Sequence, residues 1–180
     1  MKVSNQKSQK IINFKLSLLR RIKKCLPLHV RTTFYNYYVR PHFEYCCSVW
    51  GNCSQTDMNI ITKLQKMAAR LILDSDYSVR SIELFKELNW QPFSEIVKYH
   101  QALLVYKSLN NLAPHYMSEF FTFSHKTTTH HLRSGSTNKL YIPRTHKNSL
   151  RYKGPNIWNS LSQSCRKAEN VTSFKKLYFT

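Results

Sequence analysis

The chain has 180 residues, of which 42% are hydrophobic, so it can bury the core of one domain or of one domain with an appended tail. Only three glycines are present, which argues against a glycine-rich phosphate loop and against an all-β fold with many tight turns. The formal net charge is +19, and a charge of this size favours a polyanionic partner.

The positive charge is concentrated at the two ends of the chain. Residues 1–24 contain eight Lys and Arg and no acid, and residues 120–180 contain eleven against one acid. The intervening residues 25–119 are nearly neutral, with nine Lys and Arg against eight acids. This distribution is expected when nucleic acid lies against the ends of the chain. The alternative is a solvated basic surface without a partner.

The cysteines and the hydropathy pattern indicate a compartment. The chain contains five cysteines, an odd number, and Cys46 and Cys47 are neighbours in an apolar segment. This usage is typical of reduced thiols inside a cell. The chain does not open with a secretory signal, and no run approaches the ~20 apolar residues of a membrane span. We therefore expect a soluble intracellular protein, in the cytoplasm or nucleus, without membrane contact.

The first elements are predicted to be a disordered basic leader over residues 1–10 and an amphipathic helix over Ile11–Leu26, ended by Pro27. Its predicted buried stripe consists of Ile11, Phe14, Leu18, Ile22 and Cys25.

The segment Val30–Asn52 has the highest density of aromatic residues and is predicted to form a helical hairpin at the centre of the core, with a bend at Pro41. Helical spacing indicates that one buried stripe includes Phe34, Tyr37 or Tyr38, Phe43, Tyr45, Cys46, Val49 and Trp50.

The clearest helix in the sequence follows this hairpin. Ser54 with Asp57 three residues later is typical of a capping box. One face of the helix contains Met58, Ile61, Leu64, Ala68 and Leu71. The other face contains Lys63, Lys66 and Arg70, which are candidate phosphate contacts or simply a solvated basic face. Further short helices are predicted up to about Phe120.

The composition changes at about Thr122. Residues 123–153 are rich in Ser, Thr, His, Asn, Lys and Arg, which predicts extended structure or long loops. Short helices are predicted around Trp158 and over Val171–Phe179, the second capped by Asn170 or Thr172. The predicted fold class is mainly α: a bundle of six or seven short helices with an irregular basic C-terminal extension and a last short helix. The predicted domains are a leader (1–10), a helical body (11–121) and the extension (122–180).

Catalytic and metal-binding chemistry finds little support in the sequence. Two-metal catalysis needs clustered carboxylates, and the only adjacent pair, Asp74 and Asp76, lies in a predicted turn, where Asp is favoured for other reasons. Zinc ligands are conceivable from the thiols and imidazoles, but no Cys-x2-Cys pair is present. We predict no catalytic residue, no metal, no cofactor and no small-molecule substrate. The zinc candidates are Cys46, Cys47, Cys53, His125, His130 and His131.

Several motifs occur in a specific order from about Ile11 to the C-terminus. They are LRRIKKCLPLHVRTTFYNYYVRPHFEYCCSVWGNCS, ITKLQKMAARLIL, SIELFKELNWQPFSEIVKYHQALLVYKSLNNLAPHYMSEFF, HHLRSGSTN, LYIPRT, GPNIWNSLS and SFKKLYF. In this order they resemble the C-terminal region of reverse transcriptases from jockey-like LINE (non-LTR) retrotransposons. One departure is Ser162, which stands where the family's Trp-Asn-x-Leu-Pro motif has proline.

The resemblance implies the thumb and post-thumb region of an RNA-directed DNA polymerase, without the catalytic palm and the endonuclease. Its implied role is to hold an RNA/DNA template–primer, and the absent palm domain is a further candidate partner. The alternatives are a helical protein-interaction module that docks a partner through Trp158 or Trp90, a decayed element copy without function, and a cryptic enzyme. Tyr141 or Tyr152 could stack bases. The residues predicted to contact phosphate are Lys63, Lys66, Arg70, Arg133, Lys139, Arg144, Lys147, Arg151 and Lys153.

Overall fold

The computed structural model describes residues 2–45, 47, 54–127 and 138–179. The chain is mainly helical, as predicted, and forms two compact units, Met1–Val97 and Lys98–Thr180. The boundary predicted at residues 121–122 falls inside the second unit.

The first unit contains α1 (Lys2–Ile22), a 3₁₀ turn (Lys23–Cys25), α2 (Leu28–Phe34), a π-helical turn (Tyr35–Val39), α3 (Arg40–Glu44), α4 (Gln55–Leu73), α5 (Ser81–Glu87) and the start of α6 (Phe93–Leu109). The second unit contains the rest of α6, then α7 (His115–Ser118), α8 (Ser124–Thr127), α9 (Leu150–Ser160), α10 (Gln163–Arg166) and α11 (Val171–Tyr178).

Helix α1 differs from the prediction in its start and in its buried face. It begins at Lys2, within the segment predicted to be a disordered leader. The residues with almost no exposure are Ile12, Leu16 and Leu19. The predicted stripe is instead exposed. Its four large members, hereafter the exposed stripe, are Ile11 (37%), Phe14 (64%), Leu18 (36%) and Ile22 (41%).

The run from α2 to α3 is the described part of the predicted central hairpin. Tyr35, Val39, Phe43 and Cys47 are buried in the core of the first unit. Of these, Phe43 was predicted. The predictions of Tyr37 or Tyr38 and of Tyr45 were wrong, since all three tyrosines are exposed. Cys46, Val49 and Trp50 lie outside the described residues.

A π-type hydrogen bond explains why the buried face of this helical run differs from the predicted one. The Arg40 backbone N–H donates to the Tyr35 carbonyl, five residues earlier, and Pro41 follows at the start of α3. Proline has no N–H to donate to the carbonyl four residues earlier, so the turn before it cannot close as a regular α-helix. The extra residue rotates the helix, and every fourth residue from Tyr35 points inward.

Helix α4 follows the prediction closely. The Ser54 Oγ accepts a hydrogen bond from the Asp57 backbone N–H at 3.3 Å, which makes Ser54 the predicted N-cap. Ile61, Leu64, Ala68 and Leu71 are buried on one face. Gln65 is also buried, and its side chain fixes the start of α6: its Nε2 donates to the Gln91 carbonyl at 2.8 Å, and its Oε1 accepts from the Phe93 N–H at 2.8 Å.

The second unit packs around Trp158, which is 2% exposed. Its ring lies parallel to that of Phe174, with an interplanar angle of 8°, and Phe174 in turn contacts Tyr106 at 4.5 Å between ring centroids. The Asn170 side chain caps α11, as predicted, by accepting from the Ser173 N–H at 2.8 Å. Because Trp158 is buried, it is not an exposed docking residue, and the other tryptophan of the interaction-module hypothesis, Trp90, is half-buried against the core of the first unit.

The identities of two small residues, Gly154 in α9 and Ser162 immediately before α10, have local structural explanations. A Cβ on Gly154 would lie 2.8 Å from a ring carbon of Phe121, so only glycine allows α9 to approach Phe121 this closely. Ser162 accepts a hydrogen bond from the Cys165 N–H at 3.3 Å and thereby caps α10. A serine at this position therefore still starts a helix in place of the family's proline.

Candidate nucleic-acid interface

The best-formed basic surface lies on the irregular segment before α9 and on the first turn of α9. It consists of four cationic side chains and one aromatic side chain, and all five are exposed. We call this set the basic platform; it consists of Lys139, Tyr141, Arg144, Lys147 and Arg151.

The backbone under Lys139 and Tyr141 is fixed by the side chains of α9. The Leu140 N–H donates to Asn159 Oδ1 at 2.8 Å, and Asn159 Nδ2 donates to the Leu140 carbonyl at 2.9 Å. One residue earlier in the helix, Trp158 Nε1 donates to the Asn138 carbonyl at 2.8 Å. Two adjacent side chains of α9 therefore hold the backbone of Asn138 and Leu140, on either side of Lys139, in an otherwise irregular segment.

A short antiparallel pairing completes this arrangement. Phe123 and Leu140 form an isolated β-bridge. The Tyr141 N–H donates to the Thr122 carbonyl at 2.8 Å, and the Ser124 N–H donates to the Lys139 carbonyl at 2.9 Å. In extended structure successive side chains point to opposite sides. Leu140 is accordingly 1% exposed in the core, and its neighbours Lys139 and Tyr141 face solvent.

Local turns present the next two cations. The Thr145 N–H donates to the Pro143 carbonyl at 2.9 Å, and the Ser149 N–H donates to the His146 carbonyl at 2.8 Å. Arg144 and Lys147 have exposed side chains in these turns. Ser149 then caps α9 by accepting from the Tyr152 N–H at 3.3 Å. The turns thus order the backbone while leaving both cationic side chains in water.

Arg151 lies on an aromatic surface. Its guanidinium carbon is 4.2 Å from the ring centroid of Phe120. A guanidinium stacked on a ring still directs its N–H groups outward in its own plane, where a phosphate can accept them. Of the two remaining predicted residues in α9, Lys153 and Tyr152 are each half-buried.

The basic face of α4 is organised differently. Lys63 is exposed and Lys66 is half-buried. Arg70 Nη2 donates to the Val79 carbonyl at 3.1 Å, and its guanidinium lies 5.4 Å from the ring centroid of Tyr77. Arg70 therefore connects the end of α4 to the segment that precedes α5.

Two residues remain to be considered: one predicted phosphate contact, Arg133, and one supporting residue that the sequence analysis missed, Asn159. Arg133, with His130 and His131, lies outside the described residues. Asn159 was missed because its role depends on a backbone 19 residues earlier in the chain, which no local pattern indicates. It touches no ligand-facing group itself, and it positions Lys139 and Tyr141.

The carboxylate alternative can now be placed, whereas most of the zinc candidates lie outside the described residues: Cys46, Cys53, His130 and His131. Asp74 forms an ion pair with Lys23, and the hydrogen bond from Lys23 holds the pKa of that carboxyl below its ordinary value. The Asp76 Oδ1 accepts from the Tyr77 N–H at 2.9 Å, as a turn-forming aspartate does. Within residues 2–45, 47, 54–127 and 138–179, no three His, Cys, Asp or Glu side chains come together as a metal-binding group.

Over the same described ranges, no helix is long and apolar enough to cross a membrane.

Comparison with known proteins gives a partial similarity. Over 78 residues the chain is 32% identical to a Drosophila melanogaster protein described as a probable RNA-directed DNA polymerase from transposon BS. The aligned part is 43% of this chain and spans 9% of the length of that protein. No family model matches the chain, and no solved structure matches it.

Proposed function

We propose that this chain is a region of a retrotransposon RNA-directed DNA polymerase and holds the RNA/DNA template–primer through the basic platform without carrying a polymerase site. The similarity to the fly transposon protein supports the first part. The motif order supports the finer assignment to the thumb and post-thumb region of a jockey-like element. In that setting the palm domain would be a neighbour in the same polyprotein.

The geometry of the platform is the observation that carries the binding role. Four cations and one aromatic ring are exposed on a backbone that is held by hydrogen bonds to Asn159, Trp158 and Thr122. Cations that donate hydrogen bonds to phosphate oxygens, together with a ring that stacks on a base, are the usual elements of sequence-tolerant binding to single strands. A preordered backbone reduces the entropy lost on binding.

The charge of the second unit favours the same role. Residues 98–180 contain thirteen Lys and Arg against two acids. The first unit is also basic, but its fifteen Lys and Arg are accompanied by seven acids. Acids near a phosphate-binding surface repel the ligand, so the second unit provides the stronger field.

The test neutralises the platform. Lys139, Arg144, Lys147 and Arg151 are changed together to Gln, and binding of RNA and DNA oligonucleotides with 5′-hydroxyl ends is measured over a range of salt. Each lost phosphate contact should flatten the slope of log K against log salt by ~0.7 to 0.9, so four should flatten it by about three. Affinity at ~0.1 M salt should fall about a thousandfold for both ligands, because phosphate contacts carry no sequence information.

The matched control removes the same charge from the first unit. Lys63, Lys66, Arg80 and Lys86 are changed to Gln, and the slope should stay within about one of the native value. The proposal is contradicted if the platform variant keeps native affinity and slope while the control variant loses both.

We expect no polymerase activity from the purified chain. With primer, RNA template, deoxynucleotides and Mg²⁺ it should extend nothing, because the sequence offers no clustered carboxylates to hold two cations. Extension that disappears on chelation and is absent from mock preparations would refute this part of the proposal.

The exposed stripe of α1 favours a second candidate function, a protein-interaction module. An apolar stripe at Ile11, Phe14, Leu18 and Ile22 could dock a partner helix. The salt titration separates the two candidates, since apolar docking gives a shallow salt dependence and phosphate binding a steep one.

A further inference from the structure

The first unit contains a cavity of about 310 Å³ with a cationic lining. Arg20 comes from the last turn of α1, Lys23 from the 3₁₀ turn that follows it, and Arg70 from the last turn of α4. The apolar part of the wall is formed by Met67 and Leu71 of the same helix. We call this space the cationic cavity. Its volume is near the lower limit of roughly 300 Å³ for small-ligand pockets.

The cations of the cavity are incompletely matched by acid. Lys23 pairs with Asp74. Arg20 Nη2 instead contacts the Met67 sulfur at 3.5 Å, a weak acceptor, and Arg70 bonds a neutral carbonyl. The Nε of Arg70 is buried and has no hydrogen-bond partner among the described residues. A buried donor of this kind is costly to leave unpaired. A charged oxygen in the cavity would bond Arg20 and Arg70 more strongly than the sulfur and the neutral carbonyl do.

Helix ends explain part of this charge but not all of it. Cations at a helix C-terminus are stabilised by the helix dipole, and both α1 and α4 end at the cavity. A helix C-terminus carries roughly half a negative charge, so two such ends offset about one positive charge. Here Asp74 is accompanied by Lys23, Arg31 and Lys24, all of which lower the pKa of its carboxyl. The field at the cavity mouth is therefore positive beyond what the helix ends require.

Tyr77 adds an aromatic surface beside these cations. It lines the cavity, its side chain is 77% exposed, and the Arg70 guanidinium lies 5.4 Å from its ring centroid. A tyrosine ring with one face against an arginine and most of its surface in water can stack a planar heterocycle. Ser75, the next lining residue, contributes a hydroxyl that can bond a phosphate oxygen.

We propose that the cationic cavity binds the phosphate group of a nucleotide, with Arg20 and Arg70 as the principal cations and the Tyr77 ring against the base. The site consists of residues other than those of the basic platform, and it goes beyond the proposed function. The nucleotide can be free in solution or the 5′-terminal residue of a polynucleotide, since both present a phosphomonoester next to a base.

The test uses the full chain with adenosine 5′-monophosphate, adenosine and inorganic phosphate in calorimetric titrations. Adenosine monophosphate should bind in a saturable manner and more tightly than either of the other two, because only it offers both groups. Arg20→Gln should weaken that binding about tenfold. Arg21→Gln is the matched control: it is the neighbouring exposed cation on α1, and it does not line the cavity.

The melting temperature should be the same in both variants because both side chains are exposed. Tyr77→Ala should remove the advantage of the nucleotide over inorganic phosphate. The proposal is overturned if adenosine monophosphate does not bind, if Arg20→Gln and Arg21→Gln lose equal affinity, or if adenosine binds as well as its monophosphate.

Two further measurements identify the source of the ligand and isolate this proposal from the previous one. If a 5′-phosphorylated oligonucleotide displaces adenosine monophosphate and its 5′-hydroxyl counterpart does not, the site receives a strand end. If neither does, it receives a free nucleotide. The quadruple platform variant should bind the nucleotide normally, and a loss there would overturn the cavity proposal. Failure of nucleotide binding with platform-dependent RNA binding intact leaves the proposed function standing.

Discussion

The basic face of α4 and the basic platform have similar charge but use it differently. On α4, the arginine at the end of the row is part of the structure, because Arg70 bonds the Val79 carbonyl and lies on Tyr77. On the platform, uncharged groups hold the backbone: Asn159, Trp158 and a β-bridge fix the segment. Lys139, Arg144 and Lys147 extend into water, and Arg151 is exposed although it lies on the Phe120 ring. A count of positive residues does not distinguish the two. They are distinguished by whether a cationic side chain makes contacts within the fold or remains exposed to solvent.

The largest expected effect comes from removing the support of the platform. Trp158→Ala deletes a side chain that is 2% exposed and also the hydrogen bond to the Asn138 carbonyl. The cavity and the lost bond should lower the free energy of unfolding by ~3 to 5 kcal/mol. Urea denaturation followed by circular dichroism measures this. As a control, Tyr141→Ala removes an exposed ring and should leave the denaturation midpoint in place. An unchanged midpoint in Trp158→Ala would mean that the ring is not a core residue.

Asn159→Ala tests whether the platform must be held to bind. It removes two hydrogen bonds to the Leu140 backbone and should cost about 1 to 3 kcal/mol of stability. RNA affinity should fall about tenfold, while the salt slope should stay the same because no cation is lost. Asn156→Ala is the matched control, since the Asn156 side chain donates to Tyr152 within the same helix. Equal RNA affinity in the two variants would show that the held backbone is unimportant for binding.

Arg70→Gln should lower stability and leave RNA affinity almost unchanged. It breaks a charged hydrogen bond and a cation–π contact, so stability should fall by about 1 to 3 kcal/mol. Affinity for a 5′-hydroxyl RNA should change less than about twofold. Lys63→Gln, on the same helix and exposed, should change neither quantity. A loss of RNA affinity in Arg70→Gln without a loss of stability would place the binding surface on α4 and end the contrast with the platform.

The smallest expected effect is on the pH dependence of stability and involves Lys15 and His42 in the first unit. Lys15 Nζ lies 2.6 Å from His42 Nε2. Burial first, and then the Lys15 charge, lower the pKa of His42 below 6.5. The folded state therefore takes up this proton at a lower pH than the unfolded chain. The associated stability is complete above pH 6.5 and is lost as the pH falls through the lowered pKa. His42→Gln should flatten stability against pH between about 7 and 5, and an unchanged profile would contradict this assignment.

The sequence was sufficient where one pattern dominates. In α4 a capping serine, a single apolar stripe and a charged opposite face agree, and the structure confirms the cap and the buried face. In α1 the apolar residues occur as adjacent pairs, Ile11–Ile12 and Leu18–Leu19, so periodicity permits two buried stripes. The choice between them is made by packing against α4 and α3, which no local pattern records. The sequence prediction selected the stripe that the structure leaves exposed.

The cationic residues of the candidate site could be predicted from the sequence, but the hydrogen bonds that fix their backbone could not. Lys139, Arg144 and Lys147 are recognisable from charge in a polar segment. The hydrogen bonds that fix their backbone join residues 19 or 20 positions apart, between a segment of irregular composition and a helix. Such contacts are specified by the packed core around Trp158 and have no local signature. Tertiary contacts likewise determine that Arg70 is a structural residue, although its sequence context resembles that of Lys63 and Lys66.

The held backbone at Leu140 also affects how the chain should respond to proteases and to solvent exchange. The side chains of Lys139, Arg144 and Lys147 are all exposed, so trypsin can recognise each of them. Cleavage requires the backbone around the scissile bond to leave its place and enter the protease, and the peptide bond after Lys139 contains the Leu140 N–H that donates to Asn159 of α9. The bonds after Arg144 and Lys147 are held by local turns alone, so nicking should begin there. The amide protons of Leu140 and Tyr141 should exchange slowly for the same reason, in a segment whose composition is typical of a fast-exchanging loop.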